Sequence, residues 1–214
     1  MTPRRQDISL FVDWNSQIAN GGQAREDRVE RRTLEVAEYV TKAVESALPS
    51  ENDRVLYRAS VRLYYGWHKG LTATDTRAAL IGLYQDGLLP TVSGKVAFDW
   101  SNMFGDTLLD AFDHRKHRRL GVHLPDTLRL DTTTGGRIRE KMVDTAMACD
   151  ILCSARSDPS DWRIVMAEDD DVIPSVFVAE KWSKDKGGKS FILRDRSAQG
   201  FLALDGLLKK LERA

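Results

Sequence analysis

The chain has little of what staples or anchors a fold from outside. Only two cysteines, Cys149 and Cys153, occur in 214 residues. Four apart in a helical pattern, they share one face, and a disulfide framework needs more of them. No CxxC pair or matching His pair follows at zinc-ligand spacing, so they read as reduced thiols. No apolar run approaches the ~20 residues that cross a bilayer. The opening MTPRRQDISLFVDWN passes straight into a core-like strand, without the apolar stretch and cleavage site of a signal peptide. The expectation is a cytoplasmic protein with no membrane partner. Net charge is missing too: 32 Lys and Arg balance 32 Asp and Glu. No global basic field announces nucleic acid, so any such binding needs a local patch. Internal repeats, low-complexity tracts and clear linkers are also lacking.

What is present is a globular composition, 42% apolar and 30% charged, sufficient for one α/β domain with a core. DISLFVDWN is a short buried strand ending at Asp13, followed by a polar turn, SQIANGGQAREDR. Residues 28–48 carry a one-sided apolar stripe and read as a helix stopped by Pro49. DRVLYRASVRLYYGW is a second strand, and 73–86 a short helix. Residues 88–125 read as an elaboration, with a strand in VSGKVAFDW and a short helix around 106–116. TLRLD is a third strand, TTTGGR a loop, and 138–155 a helix. DWRIVMA is a fourth strand, 172–184 a helix with Pro174 in its first turn, GKSFILRD a fifth strand, and QGFLALDGLLKKLER a closing helix. Strands alternating with helices predict a three-layer α/β/α sandwich with a mostly parallel central sheet.

The segment RIVMAEDDDVIPSVFVAEKW sets four consecutive acids, Glu168 to Asp171, between a strand and a helix. In open α/β sheets ligands bind beyond the carboxyl ends of strands. Asp13 closes the first strand, Asp169 and Asp171 follow the fourth, and Asp144 sits near the start of a helix. If the first and fourth strands are neighbours, these acids converge. Like charges ~4 Å apart then repel by up to ~4 kcal/mol per pair, and a divalent cation reverses that sign. Oxygen donors without His or Cys suit Mg2+ or Mn2+, and a water acidified by the ion becomes a nucleophile towards phosphorus. A plainer reading stands beside this one: helix N-termini favour Asp and Glu through free N–H groups and the dipole.

Four of these stretches carry a family likeness. ISLFVDWNSQ resembles the opening strand of NYN domains, the PIN-like nucleases, and VRLYYGW is similar to their second strand. EKMVDTAMACDIL resembles their KGVDVxLAxDxL helix, and the acid segment their SGDxDFxP strand and helix. In order and spacing the pieces span residues 8 to 182. The resemblance implies a PIN-like fold and metal-dependent cleavage of phosphodiester bonds, most often in RNA. It matches Asp13, Asp144, Asp169 and Asp171 to the metal-binding, catalytic acids. Asn15 falls where a polar residue helps hold the metal or its loop. Asp150 matches a second helix aspartate that either supports the site or orients a basic side chain. Ala167 and Glu168 stand where Ser and Gly are usual, Val172 replaces Phe, and Met142 replaces the Gly of KG.

On the substrate side, the run with Arg115, Lys116, Arg118 and Arg119, and the group Arg137, Arg139 and Lys141, can contact phosphates without reading sequence. A solvated helix end explains the first run equally well. The histidines there, His114, His117 and His123, keep company with Arg and Lys and make poor metal-ligand candidates. Trp14 has two roles open to it, stacking on a base at the site mouth or packing in the core. Trp67 and His68 share the first of these. The leading expectation is a Mg2+- or Mn2+-dependent endoribonuclease acting on single-stranded or structured RNA, alone, as a homodimer or with a protein partner. The alternative is a catalytically weakened PIN-like module that binds RNA or a protein without cleaving. A phosphatase with Asp13 as nucleophile would want a D-x-D-x-T-like strand end, which Asn15 and Gln17 do not supply.

Overall fold

The computed structural model describes residues 4–21, 28–48, 55–109, 127–131, 137–140, 142–194 and 202–203. In chain order the elements are β1 (Arg4–Asp13), α1 (Trp14–Gly21), α2 (Val29–Ala47), β2 (Val55–Tyr64), β3 (His68–Lys69), β4 (Thr72–Ala73) and α3 (Asp75–Gln85). There follow β5 (Val92–Ser93), β6 (Val96–Asp99), β7 (Leu128–Asp131), β8 (Arg137–Glu140), α4 (Val143–Ser157), β9 (Trp162–Met166), α5 (Ile173–Ser183), β10 (Lys189–Leu193) and β11 (Leu202–Ala203). A short 3-10 turn, Asp170–Val172, leads into α5.

Seven strands make one mixed sheet in the order β11-β10-β9-β1-β2-β6-β5. β1 pairs in parallel with β2 and β9, β9 with β10, and β2 with β6. The outer strands β11 and β5 are antiparallel to their neighbours. β1 is central because its apolar run suits burial from both sides. Ile8, Leu10 and Val12 pack with Val36, Ala37, Val40 and Val44 of α2. Phe11 faces the other way, with Val143, Met147 and Ile151 of α4 and Val176 of α5. Helices therefore lie on both faces, and the period-2 alternation of β1 meets the helical stripes of α2 and α4. No described helix is long and apolar enough to cross a membrane.

Two buried cations hold this frame. Arg62 of β2 donates to Asp150 Oδ2 from Nε (3.0 Å) and from Nη2 (2.8 Å). Tyr64 donates its hydroxyl to the same oxygen at 2.7 Å, and Leu109 N–H reaches Oδ1 at 2.7 Å. Arg62 also donates to the carbonyls of Asn102 and Thr107, so the network ties α4, β2 and the 102–109 loop together. Burial pushes the Tyr64 phenol well above its ordinary value, so it stays a donor. Arg163 of β9 is fully buried and donates instead to the carbonyls of Ser154, Asp158 and Asp161. The first two lie at the C-terminal end of α4, where the helix dipole favours a cation.

Several local expectations are corrected. Of the turn expected over residues 16–28, residues 16–21 belong to helix α1, which the Asp13 side chain caps, and 22–27 lie outside the described residues. Residues 137–140 are strand, and the helix expected from 138 begins at Val143. TLRLD lies outside the main sheet and forms an antiparallel hairpin, β7–β8. Asp106 and Thr107 are turn and bend rather than helix, and 110–116 lie outside the described residues. Leu202–Ala203 pair as a strand with β10 instead of opening a closing helix; the remainder of that segment is outside the described residues.

Asp150→Ala would strand the Arg62 charge in the interior. Urea unfolding of this variant should show a loss of about 3–5 kcal/mol; a loss below about 1 kcal/mol would mean that the network does not hold α4 to the sheet.

Candidate active site

The register Val12↔Met166 sets the ends of β1 and β9 side by side. Asp13 therefore leaves the sheet next to the chain that runs through Ala167 into the acid turn. The two strands are also where the winding reverses. From β1 the chain moves outward through β2 to β6, then returns to β9 on the other side of β1. In open α/β sheets, ligands bind beyond the carboxyl edge at such a reversal.

Each acid there is held by local backbone. Asp13 Oδ1 accepts from the N–H groups of Asn15 (3.1 Å) and Ser16 (3.4 Å), and the Ser16 hydroxyl donates to the Asp13 carbonyl at 3.0 Å. Asp169 caps the 3-10 turn by accepting from Asp171 N–H at 2.9 Å. Arg194, at the end of β10, pins this turn by donating to Asp170 Oδ1 (2.6 Å) and to the Asp169 carbonyl (3.0 Å). The consecutive acids are thus divided: Asp170 has a cation partner, while Asp169 and Asp171 bear on Asp144.

That influence is electrostatic. Burial, then the charges of Asp169 and Asp171, raise the Asp144 carboxyl. Burial raises Asp13 against its hydrogen bonds to Ser16, and Asp144 adds to the rise. Glu140, the last residue of β8, is pushed up to about 7 by burial, with Asp13 and Asp144 contributing. It accepts from Gly66 N–H at 2.8 Å. The close fit there needs glycine, because a Cβ on Gly66 would come within 2.2 Å of the Leu128 side chain.

Asp144 is therefore within electrostatic reach of Asp13, Glu140, Asp169 and Asp171, and Glu140 is also within reach of Asp13. Sequence reasoning missed Glu140 because it read a helix over 138–155. The available signal was an acid four residues ahead of Asp144. Asn15 contributes its backbone N–H to Asp13. Asp150 belongs to the Arg62 network, so it takes the role of orienting a basic side chain.

Of the two roles open to Trp14 the structure selects core packing, and the stacking expectation for Trp67 and His68 is corrected. Trp14 is 0% exposed and Trp67 1%, both within the α2-side core, so neither presents a ring to a base. Trp14 carries the first turn of α1 and points inward, as its place beside Val12 demands. His68 Nδ1 lies 3.4 Å from Asp106 rather than at an open mouth. Arg115, Lys116, Arg118, Arg119 and Lys141, with His114, His117 and His123, lie outside the described residues. Arg137 and Arg139 stand on β8, opposite Asp131 and Arg129.

Among the described residues no three His, Cys, Asp or Glu side chains form a ready ligand set for a metal ion. The donor chemistry still fits a hard divalent cation, since the gathered groups are all carboxylates whose charged forms lack enough compensation. Met142, immediately before α4, is strained: at φ 67° it is the one described non-glycine residue in the left-handed region, a conformation costing about 1–2 kcal/mol. Comparisons with protein-family models, curated proteins and solved structures found no match.

Met142→Gly should raise stability in urea by about 1 kcal/mol, the strain relieved less the added freedom of the unfolded chain; no gain would mean that the left-handed turn is unstrained. Glu140 tests the electrostatics. Its folded carboxyl titrates near 7 against an ordinary 4.5, so ionising it costs stability as pH rises through that window. Glu140→Gln should raise the melting temperature at pH 8 and change it little at pH 4. An equal effect at both would rule out this cause.

Proposed function

We propose that the chain is a Mg2+- or Mn2+-dependent ribonuclease with a PIN-like, NYN-type fold, cutting RNA internally. In that fold the mixed sheet and its two helical layers form a three-layer α/β/α sandwich on mostly parallel strands. One observation carries the reading: carboxylates from β1, α4 and the turn after β9 share a field at the crevice where the winding reverses. Solvated helix caps would explain Asp169 by itself. They do not explain why Asp13 and Glu140, from other elements, lean on the same Asp144.

Asp13, Asp144, Asp169 and Asp171 would hold the ion, with Glu140 adding negative charge beside them. When bound, a divalent cation supplies an acidified water and neutralises charge developing on the phosphate. The protein's own part is placement. Backbone N–H groups fix one oxygen each of Asp13 and Asp169, limiting the rotamers these side chains can take. Arg194 restrains the acid turn against its own repulsion. Arg115, Lys116, Arg118, Arg119, Arg137, Arg139 and Lys141 would contact RNA phosphates, giving salt-sensitive binding that does not depend on sequence. A second reading is a module of the same fold that binds RNA or a protein partner without cutting.

Incubation of the full chain with mixed RNAs and Mn2+ should give internal cuts, and EDTA should stop them. Asp13→Asn and Asp169→Asn should abolish cutting while leaving the circular dichroism unchanged. Mn2+ should also raise the melting temperature of the wild type at pH 7.5, and less so that of Asp13→Asn. Full activity in either variant would overturn the scheme. RNA binding without metal or cleavage would select the second reading.

A further inference from the structure

Several arginines at the carboxyl edge of the sheet already hold acids of the protein. Arg194 donates to Asp170 at 2.6 Å, and Arg31 to Glu35 at 3.0 Å. Arg77 donates to Asp106 at 2.7 Å and lies 3.9 Å from the centre of the Phe104 ring. Arg32 differs from these. Its side chain is half-buried, and among the described residues its buried Nε has no hydrogen-bond partner.

Topology sets Arg32 beside the acids. α2 follows β1 and leads to β2, which runs parallel to β1. The helix must therefore start at the carboxyl edge and return to the other, and Arg32 stands in its first turn. Tyr65 comes directly after Tyr64, the register partner of Asp13, one strand spacing of about 4.8 Å away. The Tyr65 ring packs against the α2-side core. Burial raises its phenol, Glu140 adds to the rise, and Arg32 opposes it. One ring thus lies within reach of both Arg32 and Glu140, and Glu140 is within reach of Asp13 and Asp144. The helix itself does not favour a cation here, since its dipole is positive at this end. An anion arriving between Arg32 and the acid group would offset that cost.

We propose that Arg32 grips an RNA phosphate at the acid group, donating to a nonbridging oxygen of the phosphate that the carboxylates and their ion also face. As a contact for a substrate this rests on the nuclease reading; as a contact for bound RNA it does not. The chemistry divides the work. Carboxylates repel a phosphodiester, and a divalent ion offsets that repulsion where it binds. A guanidinium adds N–H donors in a rigid fork that matches a phosphate edge. It stays charged at every working pH, so its grip needs no ionisation step. Donors fixed where negative charge builds on the phosphate during cleavage also lower the barrier.

Binding and cleavage are read separately on the full chain. Fluorescence anisotropy with a labelled single-stranded RNA of mixed sequence is measured in the Asp13→Asn background, with and without Arg32→Gln. The second substitution should weaken binding about tenfold and reduce the slope of log affinity against log salt by about 1. Arg31→Gln in the same background removes a neighbouring charge already held by Glu35 and should cost less than about twofold. In the otherwise wild-type chain, Arg32→Gln should cut RNA about a hundredfold more slowly at saturating Mn2+ and RNA. Its melting temperature should be unchanged or higher, because a cation leaves the positive end of a helix. An unaltered salt slope, or an equal loss from Arg31→Gln, would overturn the proposal. So would a lower melting temperature with binding unchanged, which would make Arg32 a structural residue. RNA binding that depends on Arg32 in a wild type that does not cut keeps the phosphate contact and removes the nuclease. Cutting that is indifferent to Arg32 does the reverse.

Discussion

Burial of β1 from both faces and along both edges is the constraint on which the rest of the arrangement depends. A strand with Ile8, Leu10 and Val12 on one side and Phe11 on the other needs apolar partners above and below. Its backbone needs two neighbouring strands as well. β2 satisfies one edge and β9 the other. Once both are satisfied, residues far apart in the chain, Asp13 and those just after Met166, must leave the sheet together. The acid crevice is thus a consequence of packing that involves none of the acids.

That crevice is costly, and its surroundings show how the cost is contained. Asp13 and Asp169 are given N–H donors by the turns they cap, Glu140 receives the Gly66 N–H, and Asp170 is offset by Arg194. Asp144 takes the charges of Asp169 and Asp171 with its carboxyl raised. Behind it, α4 is fastened at two levels: Asp150 grips Arg62 in mid-helix, and Arg163 closes the C-terminal carbonyls. Met142 adds strain at the opposite end of the same helix. A helix held firmly at its middle and end, and strained at its start, can keep an acid in an unfavourable field.

Much of this was legible in the residues. The buried strands, the stripe of α2, the helix after the acid run with Pro174 in its first turn, and the strand-end acids all follow from local pattern, because apolar period and turn chemistry are written in neighbouring residues. Short or polar elements were not legible. WNSQIANG has too few turns to show a stripe, and its capping by Asp13 is a side-chain event. RIRE carries as much helix as strand propensity, and only pairing with LRLD makes it a strand. Trp14 and Trp67 could not be assigned from sequence, since an aromatic beside a polar loop suits a core or a base equally well.

The sequence by itself determined the element types of the long periodic segments and the residue types available for chemistry: carboxylates at strand ends, with almost no sulfur or imidazole to compete. Only the tertiary structure decided which of those carboxylates meet. It brought Glu140 in beside Asp13 and Asp144, sent Asp150 to a buried arginine, and turned both tryptophans inward. The physical reason is range. Hydrophobic period and capping act over a few residues, whereas fields and desolvation depend on distances across the sheet, which pairing and packing set.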